Sequence, residues 1–600
     1  MVEYQAPATT RNSGDGNPGP RAARRVLLFV VLSATFVVYI GTLGFDFVYD
    51  DHEQIVENFR IQSWQYAPGY FTQHVWSHIS PKDRSNFYRP IFLLWLHLNH
   101  MFFGQSPTWW HLTTVLAHLL VTLLVYLLAC RLMRDRVDAC VAALIFGLHP
   151  AHLEAVAWVS GVTEPLLALW FISSFLCYLK WRERSPKAPR WIAASLAFYT
   201  LAVLTKETAL ALPALVLAWE WIFPAGIAEA ARSQIQKVLC AIASTVPFLA
   251  LSVVYLAVRV RVLKELSYAF TPLPLRTLVL TAPSVVWFYL RHLLWPVGFS
   301  AFYDQPYVRS LGFFSFVLPV LMLTAVVLGL AWWSRQSRAV AFASIWLFLP
   351  ILLVLNLRVF AEGDIVHDRY LYLPSVGFSV IAAVALHRLK LGRTRFLDRP
   401  AGQVASVATL ALALGFSGVS QSAHWANDLL LAYRGMRIAP NSIYALNELA
   451  ITMAQRGYND EAIRFYRKVI ELRPNFWESH YNLGLLYYQA GKLEEAERYL
   501  NAAIEINPFD PREYVCLGFT ELQRGRAAEA AALMRRAREI QPDGASSYMA
   551  LGVVLKSQGD LEGALKEFQT ALSKEPGRTS AREQIAELEA DIKRSHAPSH

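Results

Sequence analysis

Cysteine is scarce in this chain, five in 600 residues, at positions 130, 140, 177, 240 and 516. No two share a pairing rhythm, so the sequence supports neither a disulfide frame nor a cysteine metal site. Four lie in or beside apolar runs, where cysteine serves as a small hydrophobe. A Gly-rich phosphate loop, a Ser/His/Asp set and a nucleotide fingerprint are also missing, which disfavours chemistry on cytosolic nucleotide-activated substrates. Charge is thin at 17%, and the basic part of it gathers in short loops.

What is abundant is apolar surface. Mean hydropathy is +0.30 and aromatics reach 13%, in long apolar runs separated by short basic loops, the pattern of a multi-span helical membrane protein. A net charge of +10 in a soluble chain would suggest nucleic acid. Here the excess lies between spans, where it sets orientation, so a nucleic-acid partner is not expected.

Residues 1–25 are rich in Gly, Pro, Thr and Arg and are expected to form a disordered cytoplasmic tail. The run Val26 to Gly44 has no small-residue cleavage site and reads as a retained signal-anchor. Basic residues before it place residues 45–110 outside as a large loop. In that loop Ile91 to Phe103 is short and carries His97, Asn99 and His100, which suits an interfacial or re-entrant helix. Further spans are expected at 111–130, 137–148, 165–179, 191–204, 209–223, 238–258, 313–333, 340–357, 370–386 and 404–419. A second outer loop covers 259–312, with Thr277 to Leu294 lying in it without crossing. The sum is about eleven spans with every strongly basic short loop inside.

From Ala423 the composition turns soluble, with a linker over 423–442 and then a repeat. Pro440, Pro474, Pro508, Pro542 and Pro576 recur every 34 residues, and Gly457, Gly491, Gly525 and Gly559 keep the same step. This is the tetratricopeptide signature: small Ala and Gly let paired helices approach, and Pro ends each pair. Four repeats are expected over 443–578, with a capping helix and tail over 579–600.

Several polar groups sit where apolar surroundings make them costly. Asp50 and Asp51 directly follow the first span, and a carboxylate there can act as a general base or cap a helix. The pairing, the place at the membrane surface and the aromatic loop that follows favour catalysis. Lys206 and Glu207 sit at an outer helix end, where the lysine either holds a phosphate or snorkels beside its neighbour. Arg369, beside Tyr370, can bind phosphate bidentately and is an arginine on the side that arginines usually avoid. His149, His152 and Glu154 make a weak zinc pattern, broken by Pro150, and suit polar contacts to substrate better than a metal.

The set Tyr49-Asp50-Asp51, Tyr88-Arg89-Pro90, His149-Pro150 through Gly161, Thr205-Lys206-Glu207 and Arg369 through Phe378 resembles the transmembrane-and-tetratricopeptide-repeat O-mannosyltransferases. The span-then-repeat order agrees with that likeness. It implies an all-α fold of GT-C type over residues 26–422, and an inverting transfer of a mannose-like hexose from a polyprenyl-phosphate donor to a protein hydroxyl at the extracytoplasmic face. By the same likeness Asp50 is the base and Asp51 its neighbour or acceptor-orienting partner. Lys206 and Arg369 hold the donor phosphate, and His149, His152, Glu154, Glu207, Arg89 and Tyr370 line the pocket. Glu362 or Asp368 is the expected acidic partner of Arg369. No divalent metal is required by preference, and no cofactor is expected beyond the lipid-linked sugar. The repeats are expected to recruit the acceptor polypeptide outside a bacterial inner membrane, with the N-terminus in the cytoplasm. A membrane-anchored repeat scaffold without catalysis is the alternative. A transporter of lipid-linked sugars would need internal span repeats that the sequence does not display.

Overall fold

The computed structural model describes residues 20–79, 85–133, 135–184, 188–223, 234–269, 272–389, 394–396 and 399–595. Most of the tail expected over residues 1–25, and residues 596–600, lie outside the described residues. So do the loop positions Arg134, Lys187 and Arg393.

The membrane half is a helical bundle. In chain order it contains α1 (Pro20–Tyr39), α2 (Pro90–Phe103), α3 (Pro107–Leu132), α4 (Arg136–Leu148), the one-turn α5 (Leu153–Val156), α6 (Thr163–Arg184), α7 (Pro189–Thr205) and α8 (Leu212–Ile222). There follow α9 (Gln234–Leu263), α10 (Leu275–Leu294), α11 (Leu318–Ser334), α12 (Arg338–Val354), α13 (Pro374–Arg388) and α14 (Ala401–Ser422). Proline opens α2, α3, α7 and α13, where its fixed φ suits the first turn and its missing N–H costs nothing. Aromatic side chains knit α6 to α12: Phe175 lies 5.5 Å from Phe342, and Phe171 lies 5.5 Å from Trp346.

Every segment expected to span is helical. Among the described residues seven helices are long and apolar enough to cross a membrane, or eight if the pair Arg136–Leu148 and Pro150–Val156, bent by 50°, counts as one. The others, among them α7, α8, α12 and α13, are shorter. One of the seven is Leu275–Leu294, which the sequence reading kept in the outer loop. Contacts tie it and the residues before it to neighbouring segments. Leu273 accepts a bond from Arg358 at 3.2 Å, and the Thr281 hydroxyl accepts from the Val308 amide at 2.9 Å. The Tyr289 hydroxyl meets the His367 amide, and the Leu293 carbonyl meets His149. All four partners lie towards the end of the bundle that carries Arg369.

The second half begins with α15 (Asp428–Ile438) and continues as helix pairs: α16 (Ile443–Gln455) and α17 (Asn459–Leu472), α18 (Trp477–Gln489) and α19 (Leu493–Ile506), α20 (Pro511–Gln523) and α21 (Ala527–Ile540), α22 (Ala545–Ser557) and α23 (Leu561–Lys574), closed by α24 (Thr579–Ser595). Gly457, Gly491, Gly525 and Gly559 end the first helix of each pair with φ between +70° and +82°. That left-handed conformation explains the glycine in every period. Ala462, Ala496, Ala530 and Ala564 are fully buried between paired helices.

The repeats do not stand apart. The loop after α1 lies against them. Asp428 accepts from the Tyr49 amide at 2.9 Å, Arg512 lies 3.3 Å from Glu53, Gln541 donates to the His78 carbonyl at 2.9 Å, and Tyr66 donates to the Lys574 carbonyl at 3.3 Å.

Candidate active site

The chain leaves α1 through a short 3-10 turn and reaches Tyr49, a non-glycine residue at φ +56°. Backbone in that region is strained and persists only when its surroundings hold it. Here Asp428 grips the Tyr49 amide and also meets His52 Nε2 at 2.8 Å. The turn sends the two neighbouring carboxylates apart. Asp51 is fully buried and accepts from the Ser160 amide at 2.8 Å, from the Ser160 hydroxyl and from the Val48 amide at 3.3 Å. Burial pushes its carboxyl up to about 6, and the Ser160 bonds oppose the shift. It holds the turn. Asp50 instead faces a cavity of about 530 Å³ between the loop after α1 and the repeats, shared with Glu53, Glu57, Glu448, Asn482 and Arg512. Burial and the charge of Glu53 push its carboxyl up to about 8, while Arg369 pulls it down.

Arg369 sits in a 3-10 turn just before α13. Its guanidinium pairs with Glu154 on α5, its amide donates to the second Glu154 oxygen at 2.9 Å, and its head lies 5.3 Å from the Trp158 ring centre and 5.2 Å from that of Tyr370. The acidic partner expected nearby in sequence is therefore corrected. Glu362 pairs with Arg309 at 2.8 Å, and Asp368 takes the Tyr303 hydroxyl and the Ser300 amide. The true partner lies 215 positions away.

Lys206 follows the last residue of α7 in extended backbone. Its ammonium pairs with Glu164, which α6 carries inside an apolar span, and lies 4.4 Å from the centre of the Tyr370 ring. Burial lowers its pKa and Glu164 raises it; Arg369 is near enough to lower it as well. Glu207 points to a second pair of cations, Arg89 at 3.5 Å and Arg259 at 3.8 Å. Burial works against ionisation there, but those arginines and Lys206 hold the carboxyl at about 2. Carboxylate, lysine and arginine from distant parts of the chain thus converge, and Tyr370 is the ring between the two cations.

His149 and His152 are not at the cavity. The bend after α4 buries both: His149 Nε2 meets the Leu293 carbonyl at 3.1 Å and its Nδ1 accepts from the Ala151 amide, while His152 Nε2 meets the Ser375 hydroxyl at 2.8 Å. They tie α4 to α10 and α13, and they are spent on packing because the kink at Pro150 exposes backbone that needs partners. Among the described residues no cluster of His, Cys, Asp or Glu has the arrangement of a metal site. Glu164, Trp158, Glu448 and Asp428 were missed by the sequence reading. Glu164 carried a signal, a lone carboxylate within an apolar run. Glu448 and Asp428 carried none, since charged residues are ordinary in a soluble repeat.

The comparisons with known proteins agree with both halves. Tetratricopeptide family models match residues 452–491, 477–510 and 518–580. A tetratricopeptide protein of Thermus thermophilus is 23% identical, covering 30% of this chain and 96% of that one with a TM-score of 0.25. Over the longer span the chain is 25% identical to a protein O-mannosyl-transferase of Caenorhabditis elegans across 486 residues, which is 77% of this chain and 66% of that protein. It is 25% identical to a mouse protein O-mannosyl-transferase (76% of this chain, 52% of that one) and 26% identical to a human one (76% and 56%). The chain therefore spans between 52% and 66% of the length of these curated relatives. The likeness read from the motifs holds along most of the chain: it is a helical membrane protein with a tetratricopeptide region, similar to the protein O-mannosyl-transferases.

Proposed function

We propose that the chain is an integral-membrane glycosyltransferase that moves a mannose-like sugar from a polyprenyl-phosphate donor to a hydroxyl on a polypeptide. The observation that carries this reading is that Asp50 lines a cavity with Arg369 near enough to act on its charge, and that Lys206 lies beyond Arg369 across Tyr370. Asp50 accepts the proton of the acceptor hydroxyl, whose oxygen attacks the anomeric carbon of the sugar as its bond to the phosphate breaks. The leaving lipid phosphate takes the electron pair, and its charge is met by Arg369 and Lys206. Both cations are now held by Glu154 and Glu164, which position them and keep them ionised in a poorly hydrated place. Arg suits the planar contact to phosphate, and Lys supplies a compact second charge.

Orientation follows from charge. Arg131, Lys180, Arg182, Arg335 and Arg388 lie at helix ends opposite the site, and basic loops stay in the cytoplasm. The site and the repeats then face away from it. The cavity at Asp50 is walled by α16 and α18 of the repeats, which supports delivery of a polypeptide acceptor along that wall.

The test uses the full chain in membranes with labelled polyprenyl-phosphate mannose and an acceptor peptide. Asp50→Asn is expected to lower transfer steeply with donor binding retained, and undiminished transfer would overturn the assignment. Asn482→Ala, on the repeat wall of the cavity, is expected to raise the KM for acceptor peptide while leaving donor hydrolysis unchanged. Equal loss of both counts against delivery by the repeats.

A further inference from the structure

At the end of the bundle away from Asp50 there is a second cavity, of about 390 Å³, where the C-terminal ends of α3 and α6 meet the first residues of α4 and α7. It is lined by apolar Tyr126, Leu127 and Leu176 and by the cations Arg131, Arg136 and Lys180, which form its rim at the helix ends. Arg131 is paired with Glu183. Among the described residues Arg136 and Lys180 have no carboxylate within ion-pair distance. Lys180 is half-buried with its ammonium 4.3 Å from the centre of the Trp191 ring, so the cation is held in place rather than swinging in solvent.

The same cavity continues an apolar stripe. On α3, Leu116, Leu120 and Leu127 are 47%, 50% and 41% exposed, and Leu123 between them is half-buried. Their spacing places all four on one helix face. In a membrane protein that face meets lipid, and it runs straight to the cationic rim at the level of Arg131. A water-soluble anion or an acidic peptide explains the rim but not the stripe. An anionic head joined to an acyl chain matches both.

We propose that this cavity binds the headgroup of an anionic phospholipid, with one acyl chain lying along Leu116, Leu120, Leu123 and Leu127 of α3. The inference rests on the membrane placement alone and is independent of the catalytic role given to Asp50. Juxtamembrane cations contribute about 1 kcal/mol each toward anionic lipid, so removing two of them weakens binding by about thirtyfold.

The experiment takes the purified full chain in neutral detergent and counts bound lipid by native mass spectrometry. The probes are phosphatidylglycerol, phosphatidylcholine with the same acyl chains, and inorganic phosphate. Wild type is expected to hold phosphatidylglycerol at least tenfold more tightly than phosphatidylcholine, to release it as salt rises, and not to exchange it for inorganic phosphate. Arg136→Gln with Lys180→Gln is expected to lose about thirtyfold in affinity, and Arg136→Lys with Lys180→Arg to keep it. Equal affinity for the two lipids, or displacement by inorganic phosphate, overturns the proposal. So does phosphatidylglycerol binding that is insensitive to salt in the wild type, a result that needs no variant to fold.

Discussion

The two halves of the molecule handle charge in opposite ways. At the site end of the bundle the pairs that hold the two cations are enclosed: the side chains of Lys206 and Glu164 are 3% and 4% exposed, and Glu154 is 2% exposed against Arg369. In the repeats ion pairs such as Arg464 with Glu461 are 72% and 43% exposed and are spread along the solenoid. An exposed pair trades solvation for a weak contact and can be lost at little cost. An enclosed pair has already given up its water, so losing one member strands the other. The contrast teaches which pairs the fold can least tolerate losing, because an ion beside a membrane is costly unless it is matched.

The sharpest way to break that comparison is at Asp50. Asp50→Asn is expected to lower turnover of sugar transfer by about 10²- to 10⁴-fold, the usual worth of a general base. Its carboxyl is pushed up to about 8 by burial, and a base works only when ionised. Transfer should therefore rise about tenfold per pH unit up to pH 8 and then level off, and the Asn variant should lose that slope. A flat wild-type profile from pH 6 to 9 would remove Asp50 from the chemistry.

Next in size is Glu154→Gln, which leaves the Arg369 guanidinium enclosed without its counter-charge. Breaking a buried pair in this way costs about 3–5 kcal/mol, read as a lowered unfolding temperature of the detergent-solubilised protein. Unchanged melting would show that the pair is more hydrated than its burial implies.

A change inside the repeats should be smaller and local. At Gly552 an added Cβ would meet the Phe568 ring at 2.6 Å, so Gly552→Ala is expected to cost about 1–3 kcal/mol through overpacking. Protease cleavage should increase in α22 and α23 and not in the bundle, since a solenoid sums nearest-neighbour terms. The smallest effect is expected at Arg464→Ala, below about 0.5 kcal/mol in the same melting assay. A loss as large as that of Glu154→Gln would erase the distinction between the halves.

How much could be read in advance divides along the same line. The repeats were legible because each period carries the same glycine, alanine and proline, and local geometry alone demands them. The bundle's helices were legible as apolar runs. The site was legible only as residue types. Asp50 and Asp51 look equivalent in sequence, and it is the left-handed turn at Tyr49 and the bonds from Ser160 that enclose one and expose the other. The partner of Arg369 was sought among its neighbours, Glu362 and Asp368. A buried charge is satisfied by whatever the fold brings near, and α5 brings Glu154. His149 and His152 misled for the converse reason. A histidine beside a kink is as useful for closing backbone gaps as for touching substrate, and only the contacts to Leu293 and Ser375 decide it.

The loop that follows α1 is stitched to the linker helix at Asp428 and to the solenoid at Arg512, Gln541 and Lys574 in turn. Free solenoids gain and lose whole units over evolution because each unit answers only to its neighbours. Here the loop acts as a ruler laid along the stack, so inserting one 34-residue unit between α17 and α18 would carry three of the four attachments out of reach together. The number of repeats that follow the bundle is thereby tied to the length of a loop from the opposite end of the chain, and the two can change only in step.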